Sequence, residues 1–378
     1  MACCYNLELW HIDVEGTYLN GILDGNVYMH QPEGFIKLGE EHLICKLNKG
    51  IYGLCQSGWV WHRTLRGELW KIGLKSSDID PTVYFHFRQI ADWYVDDGLL
   101  ASNTTAYMDE MIKNSRGSFD IEDLEEPNQL LGIRITRDRA LGTIHISQPS
   151  FINTIAKWFN TSSSRPLTSP MDPMIDLQTS TSIKKTIDIP YASLIGSINY
   201  HAISTCSDIS YATNKCTQFT FNPSIIHWET AKRIVHYLVH TCKYRITYSS
   251  HGNKVEGYAH NIAGYTKTDF ARDINDQKST SGRVFTYNST PISWVSKKQG
   301  LVTQSSVEAE LVAGSIASPK GIWLIRLRNN FQHNFTPIPL FTNNQSFISL
   351  SKNNISNLIT KHIDIHTSSL HMRPDTHG

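Results

Sequence analysis

Hydrophobic and polar positions first resolve into a clear pattern at Trp93-Tyr94-Val95-Asp96-Asp97-Gly98-Leu99-Leu100. Two apolar, β-favouring runs flank adjacent aspartates, which predicts strand, tight turn, strand. Aspartate suits turns, so a plain hairpin with a solvated acidic tip would read the same way. A second acidic strand lies upstream at Trp10-His11-Ile12-Asp13-Val14, with Asp13 at its end. Leu43 to Leu47 and Thr82 to Phe87 read as further strands, the second only about five residues short of Trp93. Trp61, Leu65, Leu69 and Ile72 recur at helical spacing, with Gly73 as a stop. Tyr107, Met108, Met111 and Ile112 share one helical face.

Further along, Leu131 to Ile135 and Thr143 to Ile146 predict a hairpin closed around Leu141-Gly142. A helix opens at Pro149, a favourable first-turn residue, with Phe151, Ile155, Trp158 and Phe159 on its inner side. The stretch 160–182 is rich in Ser, Thr and Pro and reads as a linker. From Pro190 to His240 the pattern is helical, with Trp228, Ala231, Val235 and Leu238 forming a stripe after the breaker Asn222-Pro223. The remainder reads as α/β. Strands are predicted at Arg283–Tyr287, Pro291–Val295 and Pro339–Thr342, and a helix over Val307–Arg328 with a break or kink at Pro319.

Composition changes the picture only modestly. The chain has 378 residues, 40% hydrophobic and 18% charged, which suits two or three globular domains. Its 35 basic and 34 acidic side chains leave a net charge of +1, without the overall basic excess common in nucleic-acid enzymes. A phosphate-binding surface would need local clustering, as at Lys46, Lys49, His62, Arg63 and Arg66, unless these form only a solvated face. Seven cysteines show no Cys-x-x-Cys spacing, which argues against a zinc site. Their odd number without a secretory signal predicts reduced thiols inside the cell, in cytoplasm or nucleus. No apolar run is long enough for a transmembrane helix.

Carboxylates converging at strand ends repel one another unless a cation stands between them. Hard Mg²⁺ accepts carboxylate oxygens together with substrate phosphates, and two such ions clamp an in-line phosphoryl displacement. Tyr94-Val95-Asp96-Asp97 resembles the catalytic turn of reverse transcriptases. Ile12-Asp13-Val14-Glu15-Gly16-Thr17-Tyr18-Leu19-Asn20-Gly21 and Val27-Tyr28-Met29-His30-Gln31-Pro32-Glu33-Gly34-Phe35 resemble the first-aspartate region of copia-type LTR retrotransposon Pol polyproteins. That resemblance implies an α+β architecture: a reverse-transcriptase palm over 1–159, a linker and helical thumb or connection over 160–243, and an α/β ribonuclease H-like domain over 244–378. It implies Asp13, Asp96 and Asp97 as catalytic metal ligands, Mg²⁺ or Mn²⁺ as cofactor, and Tyr18 and Gln56 beside the nucleotide. RNA or DNA template-primer and deoxynucleotides would be the substrates.

Departures from the family pattern carry their own expectations. The family has a lysine where Cys55 stands, and a proline and a basic residue at Gly58 and Trp59, so the hold on polyphosphate should be weaker. The strand before the catalytic turn reads as shortened, which would displace Asp96 from Asp13. Most of the fingers region that precedes the first aspartate is expected to be missing. Lys278-Ser279-Thr280-Ser281-Gly282, Ser293-Trp294 and Ser305-Ser306-Val307-Glu308-Ala309-Glu310 resemble the family's ribonuclease H domain. There, two of the family's metal-binding aspartates fall on Lys267 and Asn343, leaving Asp269, Glu310 and Asp364 as remnants. Asp269 does not replace the ligand at Lys267, because two residues along a strand displace it by roughly 6.6 Å. The expected function is therefore a polymerase fragment with a degenerate nuclease. A non-catalytic nucleic-acid-binding or interaction protein, or a decayed relic, are the alternatives.

Overall fold

The computed structural model describes residues 1–86, 89–161, 166–178, 189–250, 262–331 and 338–352. The chain divides into two compact units, one of residues 1–130 with 327–333, the other of 131–326 with 334–378. Asp364 lies outside the described residues.

The first unit is built on a sheet. Its strands are β1 (Glu8–Val14), β4 (Lys75–Ser76), β5 (Val83–His86), β6 (Gln89–Tyr94), β7 (Asp97–Ser102) and β8 (Ile121–Asp123), after the separate hairpin β2 (Ile22–His30) and β3 (Ile44–Lys49). The sheet order is β4-β5-β6-β7-β1-β8, so β1 lies between β7 and β8. Side chains alternate across a strand. Ile12 and Val14 of β1 and Trp93 of β6 accordingly turn into a core completed by helices α1 (Ser57–Lys71) and α2 (Thr105–Ser118). Trp61, Leu65 and Leu69 of α1, and Met108, Met111 and Ile112 of α2, supply the expected stripes, while Tyr107 is exposed. Gly73 takes φ +89° and ends α1 as anticipated.

The strand leading into the Val95–Asp96 turn is β6, six residues long and paired antiparallel with β5, Val83 opposite Asp92 and His86 opposite Gln89.

The short strand β9 (Gln129–Leu130) closes the first unit's sequence. In the second unit, β10 (Ile133–Asp138) and β11 (Thr143–Ser147) form the anticipated hairpin, and β12 (Ile246–Ser249) pairs with β11 on its other side. A helical core of α3 (Pro149–Trp158), α4 (Tyr191–Ser204), α5 (Ser210–Thr217) and α6 (Ile225–His240) buries Ile155, Leu194, Ile198, Ile209 and Ile234 completely. The inner face of α3 is Ile152, Ile155 and Ala156. Trp158, expected inside, is 64% exposed, because it falls on the flank of that stripe.

The last sheet has the order β15-β14-β13-β16, from β13 (Ile262–Asp269), β14 (Thr280–Tyr287), β15 (Thr290–Lys298) and β16 (Leu340–Phe341). Its β13–β16 pair is parallel and the others antiparallel. Helix α7 (Ser306–Phe331) packs Ala317 and Leu324 on Phe285 of β14. It continues through Pro319 without the expected break. Helix α8 (Gln345–Lys352) follows β16.

Candidate active site

Cross-strand register assembles the acidic site of the first unit. In the β1–β7 pair Asp13 stands opposite Asp97, and in the β1–β8 pair it stands opposite Glu122. Asp96 precedes β7, and its carbonyl accepts a 3.1 Å hydrogen bond from the Val14 amide. Like charges directly opposite one another destabilise a sheet, and Asp13 shows the effect. Burial first, then the charges of Asp96, Asp97 and Glu122, push its carboxyl above the ordinary aspartate range. A carboxylate cluster of this kind favours anything that brings positive charge.

The turn carrying Asp96 is tight. Tyr94 pairs with Asp97, leaving Val95 and Asp96 as a two-residue connection. Val95 takes φ +60°, a conformation that glycine adopts freely and a β-branched residue does not. Its carbonyl accepts a 2.7 Å hydrogen bond from Trp61 Nε1 of α1, which holds the turn in place. Just after it, Gly98 leaves no room for a side chain: a Cβ there would lie 2.8 Å from the Trp93 ring and 3.0 Å from Ile12.

Two members of the site were not anticipated. His11 is 7% exposed, and its Nε2 donates to Asp97 Oδ1 at 2.7 Å. The signal was present, since a residue two before Asp13 shares its strand face. Glu122 carried no local signal, because only the β1–β8 register brings it to Asp13.

The nucleotide-side candidates come from two neighbouring segments. Tyr18 sits in the turn Thr17–Asn20 directly after β1, its ring 4.8 Å from that of Tyr52 and edge-on to it. Gly50 lets the two segments approach, since a Cβ at that position would come within 2.8 Å of the Tyr18 carbonyl and 3.0 Å of Ser57 Oγ. Gln56 is the exposed N-cap residue of α1. Trp59, in place of a basic residue, stacks under Arg63 at 4.5 Å, and Arg63 also pairs with Asp24.

Residues 1–173 match the family described as reverse transcriptase (RNA-dependent DNA polymerase). Over 376 residues, 97% of this chain, it is 32% identical to the retrovirus-related Pol polyprotein from transposon TNT 1-94 of Nicotiana tabacum. Over 359 residues, 94% of the chain, it is 33% identical to that from transposon RE1 of Arabidopsis thaliana. The corresponding figures for transposon RE2 of the same plant are 31%, 322 residues and 84%. The chain belongs to the copia-type retrotransposon Pol family. It spans 28%, 24% and 21% of those three polyproteins' own lengths.

Reverse transcriptases as a family work with divalent metal ions, and the oxygen donors of the first unit suit a hard cation. Among the described residues no three His, Cys, Asp or Glu side chains converge closely enough to hold an ion by themselves. That is compatible with Mg²⁺, which commonly takes one or two carboxylates and completes its shell with water and substrate phosphate. Among the described residues no helix is long and apolar enough to cross a membrane.

The second constellation lies in the other unit of this Pol-family chain. Lys267, Asp269 and Asn343 line one cavity of about 1180 Å³, together with Arg272, Asp273 and Arg283. Parallel pairing of Tyr265 with Phe341 brings β13 and β16 out at the same end, so Lys267 and Asn343 follow two residues beyond a paired position. Glu310 is 6% exposed, and its Oε1 accepts a 3.1 Å hydrogen bond from the Thr268 amide. Burial pushes its carboxyl up, against that hydrogen bond and the nearby Lys267 charge. Burial likewise pushes Asp269 up, opposed by the charges of Arg272 and Lys215.

Proposed function

We propose that this chain is the polymerase-to-nuclease stretch of a copia-type Pol protein, with a palm carboxylate site retained and a nuclease site lost. The observation that carries the first half is the register that sets Asp13 against Asp97 with Asp96 in the adjoining turn. In this reading 1–159 is the palm, 160–243 the linker and thumb or connection, and 244–378 the ribonuclease H-like domain. Asp13 and Asp96 would hold the metal, which when bound lowers the cost of charge developing on the transferring phosphate. The reaction is attack of a primer 3′-hydroxyl on the α-phosphate of a deoxynucleotide, with pyrophosphate as leaving group. Tyr18, backed by Tyr52, would face the incoming sugar, and Gln56 at the start of α1 would face the base or triphosphate. Positioning and preorganised charge supply the catalysis.

Extension is expected to be weak. Cys55 and Trp59 bring no cation to the triphosphate, and Glu122 adds negative charge beside Asp13. Primer extension with Mg²⁺ or Mn²⁺, compared between the parent chain and Asp96→Asn, tests the assignment. Extension that persists in Asp96→Asn rejects it.

For the nuclease half, the strand order β15-β14-β13-β16 with α7 after β15 supports a ribonuclease H-like arrangement. Lys267 puts an ammonium, and Asn343 an amide, at positions that need carboxylates, so hybrid cleavage is not expected. A second reading, nucleic-acid binding without catalysis, is favoured by the same two residues. Hybrid binding with no extension by the parent chain would support it. Cleavage of the RNA strand by the parent chain, abolished in Glu310→Gln, would overturn the assignment of a dead nuclease.

A further inference from the structure

We infer that His11 is a positioning residue that holds Asp97 out of the metal's inner coordination, leaving Asp13 and Asp96 to ligate it. This rests on the polymerase reading above and deepens it. Asp97 is the cross-strand partner of Asp13, whereas His11 is the partner of Leu99, two residues further along β7. The Asp97 carboxylate therefore reaches diagonally along the sheet to meet His11 Nε2 at 2.7 Å. One of its oxygens is committed to a hydrogen bond on the side of the strand away from the Val95–Asp96 turn.

His11 cannot readily yield this position. It is 7% exposed, its amide donates to the Glu125 carbonyl at 2.9 Å, and its own carbonyl accepts from the Leu124 amide at 3.0 Å. The Asp97 side chain remains 24% exposed, so it is open to an ion and is withheld by its partner rather than by burial. Asp97 then contributes its charge to the site without contributing a ligand oxygen.

The test is Mn²⁺ affinity of the full chain, read from the loss of the free-ion electron paramagnetic resonance signal. Asp13→Asn and Asp96→Asn should each weaken binding by roughly tenfold or more, as expected for loss of a charged ligand. Asp97→Asn should stay within about threefold of the parent, losing only through-space attraction. His11→Ala should tighten binding by roughly threefold to tenfold as Asp97 is freed, and adding Asp97→Asn should remove that gain. His11→Gln, which keeps an N–H donor, should bind Mn²⁺ less tightly than His11→Ala, towards the parent affinity. As an independent signature, the hydrogen-bonded imidazole N–H resonance of His11 should move upfield in Asp97→Asn, where a neutral amide oxygen replaces the charged acceptor. That variant leaves no unpaired buried charge, so it keeps the idea testable if His11→Ala folds poorly. An Asp97→Asn loss as large as that of Asp13→Asn, or a His11→Ala effect that persists without Asp97, overturns the inference alone. A parent chain that binds no Mn²⁺ overturns the polymerase reading with it.

Discussion

Replacing Asp273 with alanine should unfold the second unit far more easily than its position in a loop would imply. Asp273 is 3% exposed, and its Oδ2 receives Lys298 of β15 at 3.0 Å and Lys215 of α5 at 3.2 Å. Its Oδ1 accepts the Asn275 amide at 3.0 Å. Lys298 also pairs with Asp276 at 2.8 Å, whereas among the described residues Lys215 has no second carboxylate within 4 Å. A pair of unit charges at this range attracts by roughly 4 kcal/mol at an effective dielectric of about 20, and desolvation of the partners takes back much of that. Removing the shared anion leaves a nearly buried ammonium unpaired, for which the expected loss is about 3–5 kcal/mol. Burial opposes the charged form of Asp273, but the hydrogen bonds from Lys298, Asn275 and Lys215 overcome it and hold the carboxyl far below the usual range. A depressed carboxylate stabilises fully above its unfolded value near 3.9 and loses that contribution only as pH falls through the folded value. Urea unfolding of the parent, Asp273→Ala and Asp273→Asn, at pH 7 and again below pH 4, measures both effects. The parent's advantage over Asp273→Asn should be constant above about pH 5 and shrink only in strong acid. Lys215→Met added to Asp273→Ala should recover part of the loss by removing the orphaned charge. A loss below about 1 kcal/mol, or one that vanishes in high salt as exposed pairs do, would refute the argument.

The remaining predictions concern the helical core and the Val95–Asp96 turn. His201 is completely buried between Gln148 Oε1 at 2.9 Å and Cys206 Sγ at 3.1 Å, and burial lowers it to about 4. Its neutral form is favoured, so its contribution is complete above about pH 6.5 and is lost towards pH 4, roughly 3 kcal/mol in all. A pH series of denaturation curves in which His201→Gln leaves the slope between those values unchanged would contradict this. Gly98→Ala should cost about 1–3 kcal/mol by driving Trp93 and Ile12 apart, visible as a lower urea midpoint for the first unit. Val95→Gly should stabilise the turn by up to roughly 1 kcal/mol through relief of the positive φ, less any packing it removes. A destabilised Val95→Gly chain in the same melt would show that the valine side chain matters more than the strain.

Elements defined by local pattern were legible before any coordinates. The β6–β7 hairpin, the α1 stripe ending at Gly73 and the Phe285 strand all follow from alternation, helical spacing or a single glycine. What escaped was non-local. The pairing of Asp13 with Glu122 depends on strand order, which joins residues more than 100 positions apart and leaves no trace in a short window, whereas the meeting of Asp13 with the Asp96-Asp97 turn was legible only through the family resemblance. The addition of β12 to β11 is of the same kind, setting Thr143 opposite Ser249. Trp158 was misplaced for a different reason, since size suggested burial where helical phase put Ile152 inside. His11 lay within reach of period-two reasoning, but a histidine on an acidic strand declares a partner only once the neighbouring strand is known.

The bond from Trp61 to the Val95 carbonyl ties two parts of the site into one mechanical linkage. Trp61 belongs to the first turn and a half of α1, five residues after Gln56 at its N-cap. A rigid helix transmits displacement along its length, so under the function proposed above a nucleotide that pulled on Gln56 would also load the strained turn bearing Asp96. Occupancy at the start of α1 and placement of the aspartate would then be geared to each other, and a substitution at Trp61 would slip the gear without touching either end.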